Sequence, residues 1–290
     1  MHPSLRGILL MISAALCFAS MGACLKYVLS AIPIFQAVFF RTIVSSLLLG
    51  LIILRKRLPY LGNNRRALLL RSLSGFLAMT CVFYALAHIP LADAAVLHQT
   101  APLFVALFGF VLLKEQVRLA LLGWVGLALL GVVLVLQPRG AMITIYGLVA
   151  VLGGAFAGLA YVFVRRLHQS ESSWIIAFHF ASVTSLLALP LMIWDFVLPT
   201  PLQWWALLGA GLFGTGGQIL MTVSYRYDEA ARLAPFSYAG AAFSFIYGMM
   251  FWGELPNIYK FIGMALIVLA GTAMAHANLK GRRVVALGDE

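Results

Sequence analysis

The sequence predicts an all-α polytopic membrane protein with ten transmembrane helices, arranged as two inverted five-helix repeats. Three observations support this fold class. Hydrophobic residues make up 63% of the 290 residues, charged residues only 10%, and the mean hydropathy is +0.99, whereas soluble domains are about 25% charged. At roughly 26 residues for a span and its loop, the length accommodates ten or eleven spans and no soluble domain. The third observation is an internal repeat, described below.

Ten apolar segments follow one another between chain-breaking residues. The first is longer than the apolar core of a signal peptide and leads directly into further spans, so we expect it to be retained as a helix. Prolines fall in or near most junctions, as helix ends favour: Pro33, Pro59, Pro90, Pro138, Pro199, Pro201 and Pro256. The predicted spans are 6–27, 33–54, 67–88, 91–113, 119–137, 144–166, 173–194, 202–226, 230–252 and 258–278.

The basic residues indicate which side of the membrane each loop faces. With the N-terminus in the cytoplasm, sixteen Lys and Arg residues lie on the cytoplasmic side, six of them within 55–71. Three lie outside, namely Lys26, Arg139 and Lys260. Cytoplasmic loops carry an excess of Lys and Arg, so both termini are predicted to be cytoplasmic. Arg41 is the one remaining basic residue, and it is predicted to lie within a span.

An internal repeat at a shift of 139–140 residues relates the two halves of the chain. Residues 94–115 align with 233–254, each stretch ending in Glu, and Gly75 aligns with Gly214. Each half contains five spans, an odd number, so the halves must enter the membrane in opposite directions. Inverted repeats are a recurring architecture of secondary transporters. The predicted units are a first repeat over 1–139, a second over 140–279, and a cytoplasmic tail over 280–290.

The repeated motifs resemble a known family of transporters. Residues Ala92 to Glu115 contain Ala-Asp-Ala-Ala…Pro…Leu-Leu-Lys-Glu, and their second copy, Ala231 to Glu254, contains Ala-Arg-Leu-Ala-Pro…Phe-Trp-Gly-Glu. With ten spans in five-plus-five order, the chain is similar over 7–277 to the EamA group of the drug/metabolite transporter superfamily. The run Phe39-Phe40-Arg41, followed by Arg71 to Pro90, is most similar to the S-adenosylmethionine-transporter-like branch. The resemblance implies export or exchange of small metabolites across a bacterial inner membrane.

Arg41 is the leading candidate for a contact with the substrate. It lies eight residues into span two, roughly 12 Å deep at 1.5 Å per residue, close to the middle of a hydrocarbon core of about 30 Å. Its helix neighbours Ala37 and Ser45 are small, which is typical of a bundle-facing stripe. An arginine at this depth can bind a carboxylate or phosphate through two parallel hydrogen bonds. It can also be structural and bond to helix carbonyls.

Further polar residues are predicted to line a central cavity and bind the substrate. Span four contributes His98, Gln99 and Thr100 at nearly the depth of Arg41. The second repeat places Ser237 and Tyr238 at positions equivalent to His98 and Gln99, so symmetry brings the two sets towards one axis. The remaining candidates are single residues in their spans: Tyr84, Tyr161, His179 and Gln218. Each candidate can instead hold helices together within the bundle, as polar side chains commonly do.

Motifs that the sequence lacks disfavour several classes of function. It has no GxxxxGK[ST] loop for a nucleotide, so ATP does not drive the protein directly. It has no HExxH or GxSxG motif, which disfavours an enzyme, and no cofactor, metal site or nucleic-acid partner is predicted. All nine acidic residues lie at span ends, in loops or in the tail. The central site is therefore predicted to be neutral or positively charged.

These observations predict a transporter for an amino-acid-like or zwitterionic metabolite with a carboxylate, in the inner membrane. The expected partners are the substrate and the lipid bilayer. The glycines of spans five and ten (Gly123, Gly126, Gly131, Gly263 and Gly271) predict close helix contacts, either within the bundle or between the protomers of a homodimer. Two alternatives stay open. A cationic drug or amine exporter of the same superfamily would be favoured by an acid in span one, which Ile8–Tyr27 lacks. A non-transporting membrane sensor or an intramembrane enzyme would show no substrate flux.

Overall fold

A computed structural model describes residues 3–101, 104–105, 107–108, 119–136, 141–167, 170–224, 227, 236–237, 239–255 and 257–286. Within these ranges the chain forms ten α-helices and no strand, in agreement with the predicted all-α class. The helices are α1 (Pro3–Val28), α2 (Ile34–Lys56), α3 (Arg65–His88), α4 (Leu91–His98), α5 (Leu119–Leu136), α6 (Ala141–Leu167), α7 (Ser173–Trp194), α8 (Pro201–Ser224), α9 (Ala239–Trp252) and α10 (Ile258–Ala286).

Six of the described helices are long and apolar enough to cross a membrane: α1, α2, α3, α6, α7 and α8. Three others contain shorter apolar stretches, Gly126–Val135 in α5, Ala239–Trp252 in α9 and Ile258–Ala270 in α10. The chain is therefore a multi-pass membrane protein. Ten spans are predicted from the sequence, and each of them coincides at least in part with one of the ten helices.

Local capping explains where several helices begin and end. Asn64 and Ser172 precede α3 and α7, and their side chains accept hydrogen bonds from the backbone N–H groups of Ala67 (3.2 Å) and Ile175 (3.4 Å). These bonds satisfy donors that a helix start leaves free. At the other end of α2, Arg57 adopts a left-handed conformation with φ of 51°, which is a common way for a helix to stop.

Span four is interrupted where the sequence predicts one continuous helix. α4 ends before Gln99 and Thr100, which form a turn, and helical backbone begins again at Ala101. The Thr100 N–H bonds to the Leu97 carbonyl, three residues back, at 3.2 Å, and Thr100 Oγ1 donates to the same carbonyl at 2.7 Å. A hydroxyl bonded in this way competes with regular helical hydrogen bonding. Pro102, two residues after Thr100, lies outside the described residues.

The most extensive helix contacts repeat between the two halves of the chain. α1 packs on α8 as α6 packs on α3, α2 on α8 as α7 on α3, and α1 on α9 as α6 on α4. Moving each helix five places along the chain, with α1 following α10, converts the α1–α8 pair into the α6–α3 pair. The other two sets of pairs correspond in the same way. Three more pairs, α2 with α7, α4 with α9 and α5 with α10, convert into themselves. The extensive interfaces thus share one pseudo-twofold pattern.

Two glycines allow α5 and α10 to approach closely. A Cβ atom at Gly131 would lie 2.7 Å from the carbonyl oxygen of Gly263, and a Cβ atom at Gly263 would lie 2.6 Å from that of Gly131. The prediction of a close glycine contact between these spans is therefore confirmed for this pair. Gly123 and Gly126 differ, because a Cβ atom at either would meet no described atom within 4 Å.

Candidate functional site

Arg41 of α2 is buried in the middle of the bundle. It is 6% exposed, and it lies against Gly214 of α8, where a Cβ atom would be 3.0 Å from Arg41 Nε and 2.9 Å from Met21 Sδ of α1. The glycine therefore leaves the space that the guanidinium occupies. Nε of Arg41 has no hydrogen-bond partner within the described ranges. No described carboxylate forms an ion pair with it.

Arg71 is a second buried arginine, although its place in the basic 55–71 cluster predicts a cytoplasmic position. It is the seventh residue of α3 and only 7% exposed. Its Nε and Nη1 atoms are buried without a hydrogen-bond partner in the part of the chain that is described. The expectation that Arg41 alone lies within a span is therefore wrong. The residues four positions away, Ala67 and Gly75, are as small as those that flank Arg41, and this signal marks Arg71 as bundle-facing.

One aromatic ring of α7 contacts both arginines. Cζ of Arg71 lies 4.0 Å from the centroid of the Phe180 ring, and Cζ of Arg41 lies 6.0 Å from it. Because both distances are measured to the same ring centroid, the two Cζ atoms are at most 10.0 Å apart. The two guanidinium groups repel each other at this range. Gly75 makes room for the stack, since a Cβ atom there would lie 2.6 Å from the Phe180 ring and 2.7 Å from Arg71 Nη1.

A small cavity lies beside Arg41. Ser45, Thr215 and Gln218 contribute its other polar lining, and its apolar walls include Leu49, Ala177, Phe180 and Ala181. Ser45 Oγ and Thr215 Oγ1 are hydrogen bonded at 2.7 Å and join α2 to α8. The structure thus brings Arg41 and Gln218, two of the predicted site residues, to one cavity. Its volume of about 10 Å³ holds about one water molecule, so the site must widen to admit a small organic molecule, whose pockets are typically about 300–1,000 Å³.

Tyr161 and His98 lie on other surfaces within the bundle. Tyr161 of α6 lies within range of the charge of Arg71, and its side chain is 44% exposed. His98, at the end of α4, is partly exposed. Neither residue is among those that line the cavity beside Arg41. Arg71 and Phe180 do not stand out as site candidates in the sequence, although the Phe180 ring contacts both arginines.

Gln99 and Ser237 connect equivalent parts of the two halves. Nε2 of Gln99 donates a hydrogen bond to the backbone oxygen of Ser237 at 3.4 Å, and α4 packs on α9. The repeat alignment places Ser237 opposite the residue that precedes Gln99, so this contact lies near the expected symmetry axis. Tyr238, the repeat partner of Gln99, lies outside the described residues.

Three other predicted site residues make contacts elsewhere. Thr100 is 1% exposed and bonds within the turn after α4. Nδ1 of His179 lies 3.1 Å from the carbonyl oxygen of Ile175 in the same helix. Tyr84 packs its ring on Tyr146 near the C-terminal end of α3, with centroids 5.7 Å apart. None of the three is among the residues that line the cavity beside Arg41.

At one end of the bundle, four ionised side chains join the two halves, and we refer to them as the charged cluster: Lys26, Asp93, Glu254 and Lys260. Lys26 Nζ lies 2.6 Å from Glu254 Oε1, and Lys260 Nζ pairs with Asp93. Glu254 Oε2 also accepts a hydrogen bond from the Leu91 N–H at 2.8 Å. Both predicted outer lysines are therefore paired with carboxylates. The interactions connect α1 and α4 of the first half with the α9–α10 segment of the second.

Two side chains bind a loop of the opposite half through its backbone. Glu171, before α7, accepts hydrogen bonds from the N–H groups of Asn63 and Asn64 in the α2–α3 loop, the latter at 2.7 Å. Gln36 of α2 bonds to the N–H (3.0 Å) and carbonyl (2.7 Å) of Val197 in the α7–α8 loop. Each half therefore holds the loop between the second and third helices of the other half.

The chemistry available in this site is recognition rather than bond breaking. Among the described residues, no group of three or more His, Cys, Asp and Glu side chains is arranged to hold a metal ion. Cys17, Cys24 and Cys81 are free thiols. The guanidinium groups, the hydroxyls and the amide of Gln218 can bind an anionic and polar ligand, and the surrounding apolar side chains can bury the rest of it.

Comparisons with known proteins agree with this architecture. A model of the EamA-like transporter family matches residues 5–137 and, a second time, residues 144–275. The chain is 34% identical over 274 residues to the pseudopaline exporter CntI of Pseudomonas aeruginosa, covering 94% of this chain and 96% of that protein. It is 31% identical over 282 residues to an uncharacterized transporter of Helicobacter pylori, covering 93% and 94%. Human solute carrier family 35 member G1 is 27% identical over 259 residues, covering 81% and 69%.

A solved crystal structure shares the fold, with a TM-score of 0.63, 22% sequence identity, and coverage of 94% of this chain and 95% of the other. The two family matches together span most of the sequence, and relatives above 30% identity align over almost the full length of the chain. The chain therefore belongs to the EamA-like transporter family, and it is a membrane transporter and not an enzyme.

Proposed function

We propose that this chain is a secondary transporter that exports or exchanges a small organic metabolite with a carboxylate group, such as an amino-acid-like or zwitterionic molecule. The observation that carries the proposal is Arg41, a buried guanidinium without a partner among the described residues. The relative from Pseudomonas aeruginosa is named as an exporter of pseudopaline, which supports an organic metabolite as the class of cargo.

The energetic argument concerns the charge of Arg41. An ionised group in an apolar interior is destabilised by several kcal/mol unless it is paired. Ser45 and Thr215 bond to each other beside it, and neither hydroxyl can neutralise the charge. A carboxylate on the substrate can, through two parallel charge-assisted hydrogen bonds. Gln218, which lines the same cavity, can bind a polar group of the substrate, and Tyr161 and His98 are candidates for further contacts with it.

We infer an inverted arrangement of the two repeats, with both termini in the cytoplasm. The family model matches the two halves separately, the extensive helix contacts exchange between the halves, and each repeat holds an odd number of predicted spans. Two similar bundles of opposite orientation can rock about a shared central site and expose it to either side in turn. The excess of basic residues on one side supports the orientation.

The charged cluster is our candidate for the contact that closes one side of the transporter. It joins helices of different halves through Lys26 with Glu254 and Lys260 with Asp93, so the bundles cannot separate at this end while the pairs persist. By the topology above, this end faces away from the cytoplasm. We place the protein in the inner membrane, where the bilayer and the substrate are its partners. A homodimer would form through the surface of α5 at Gly123 and Gly126, where a Cβ atom would meet no described atom within 4 Å.

Transport by purified protein in liposomes tests the proposal. Counterflow is measured with amino acids, both monocarboxylic and dicarboxylic, against their amides and decarboxylated amines. We expect flux that requires a carboxylate, loss of flux in Arg41→Ala, and substantial impairment in Arg41→Lys, because a point charge does not replace the planar fork. Arg66→Ala, at an exposed position of α3, is the matched control. Equal transport of acids and amides, or full activity of Arg41→Ala, would make Arg41 a structural residue.

A further inference from the structure

Resting on the proposed function, we infer that Arg71 is a second anion-binding residue of the same site and that the transported substrate carries two carboxylates. One carboxylate binds Arg41 beside Gly214, and the other binds Arg71 beside Gly75. The substrate class is thus a dicarboxylic, amino-acid-like molecule rather than a simple monocarboxylic amino acid.

Arg71 is buried, and the proposed function assigns it no role. Its side chain is as buried as that of Arg41, and two of its nitrogen atoms, Nε and Nη1, lack partners in the described part of the chain. The Phe180 ring at 4.0 Å is its cation–π partner, and such a contact stabilises a cation only modestly. This stabilisation is smaller than the cost of burying a charge. A structural arginine would normally bond to carbonyls or carboxylates, and among the described residues Nε and Nη1 of Arg71 bond to neither.

The two arginines lie against glycines that occupy equivalent positions in the repeat. Gly75 of α3 and Gly214 of α8 align in the two halves of the sequence, and in the structure each glycine lies against one guanidinium. A Cβ atom at Gly75 would be 2.7 Å from Arg71 Nη1, and one at Gly214 would be 3.0 Å from Arg41 Nε. Equivalent helices of the two halves therefore each border one cationic group. A substrate at the symmetry axis can contact both.

The two charges lie close enough together for one molecule to reach both. The two Cζ atoms lie at most 10.0 Å apart, since both contact Phe180, and this separation is within reach of a molecule with two acid groups a few carbon atoms apart. A monocarboxylate at Arg41 would leave the positive charge of Arg71 uncompensated. A dicarboxylate compensates both charges and removes their mutual repulsion.

Binding of paired ligands tests this inference. The probes are glutamate, 2-aminoadipate and N-carboxyalkyl amino acids, each compared with its monoamide on purified protein by calorimetric titration. We expect at least one dicarboxylate to bind about tenfold or more tightly than its monoamide, as loss of a hydrogen bond to a charged group predicts. In Arg71→Met that ratio should fall to about one, while the monoamide retains its affinity. Arg66→Met, an exposed arginine of the same helix, should behave as the parent protein.

The possible results separate the two proposals. Equal binding of each dicarboxylate and its monoamide, with loss of both in Arg41→Ala, would overturn the role of Arg71 and leave the proposed function standing. Equal loss of both ligands in Arg71→Met would mean that one carboxylate bridges both arginines, which also overturns a two-carboxylate site. Binding that is insensitive to Arg41→Ala, or absent for every acid, would overturn both proposals. The comparison of ligands on the parent protein remains decisive even if Arg71→Met does not fold.

Discussion

Two pairs of cations in this protein differ in how their charges are compensated. At the end of the bundle, Lys26 and Lys260 lie against Glu254 and Asp93, with the side chains of the lysines 12% and 21% exposed. In the middle, Arg41 and Arg71 are more buried and contact the ring of Phe180 without a described carboxylate. The chain therefore compensates the outer charges itself, and under the proposed function a substrate compensates the central ones. Paired cations join the two halves, and the uncompensated cations are the residues that we propose bind the substrate.

The largest expected effect comes from disturbing the central pair without changing any charge. Gly75→Ala places a Cβ atom 2.6 Å from Phe180 and 2.7 Å from Arg71 Nη1, so the ring and the guanidinium must move. Overpacking costs about 1–3 kcal/mol, and a cost of this size that falls on the bound state lowers the substrate affinity by roughly 5- to 150-fold. Gly126→Ala is the control, because its Cβ atom meets no described atom within 4 Å. The measurement is the KM for transport in liposomes, and equal values for the two variants would contradict a site at Phe180.

A second effect of similar size, on stability rather than transport, is expected from unpairing a cation of the charged cluster. Glu254→Gln leaves Lys26 charged and mostly buried without its carboxylate. Breaking a fully buried pair costs about 3–5 kcal/mol, and the partial exposure of this pair lowers the expected loss to about 1–3 kcal/mol. Thermal unfolding in detergent measures it. Adding Lys26→Met should recover most of the lost stability, since no uncompensated charge then remains. A double variant that is less stable than Glu254→Gln would show that Lys26 stabilises this end through other contacts.

Most of the fold could be predicted from the sequence, because apolar runs between prolines fix where helices begin and end. α7 coincides with its predicted span at 173–194, and α2 and α3 differ from theirs by two residues or fewer. The turn at Gln99 and Thr100 could not be predicted, since a hydroxyl that bonds back to a helix carbonyl is compatible with both continuous and interrupted helices.

The candidate site was only partly predictable. Arg41 is identifiable because it is a single charge within an apolar run. Arg71 follows a run of basic residues, so the charge pattern predicts a cytoplasmic position for it. Its small neighbours Ala67 and Gly75, however, resemble those of Arg41. Phe180 carries no signal, because an aromatic residue in an apolar span is ordinary until packing places it between two charges. The partners of Lys26 and Lys260 likewise depend on contacts between residues far apart in the sequence.

The most direct test of the central claim is to give Arg41 a partner within the chain. Ser45 is one helical turn from Arg41 and lines the same cavity, so Ser45→Asp places a carboxylate where the substrate is expected to bind. Ser45→Asn has nearly the same shape, disturbs the bond to Thr215 equally, and adds no charge. The measurement is the difference in unfolding temperature between the two variants without substrate. We predict that Ser45→Asp is the more stable and transports nothing, because its own carboxylate occupies the site. A lower unfolding temperature for Ser45→Asp than for Ser45→Asn would mean that the charge of Arg41 is already compensated, and would contradict the account.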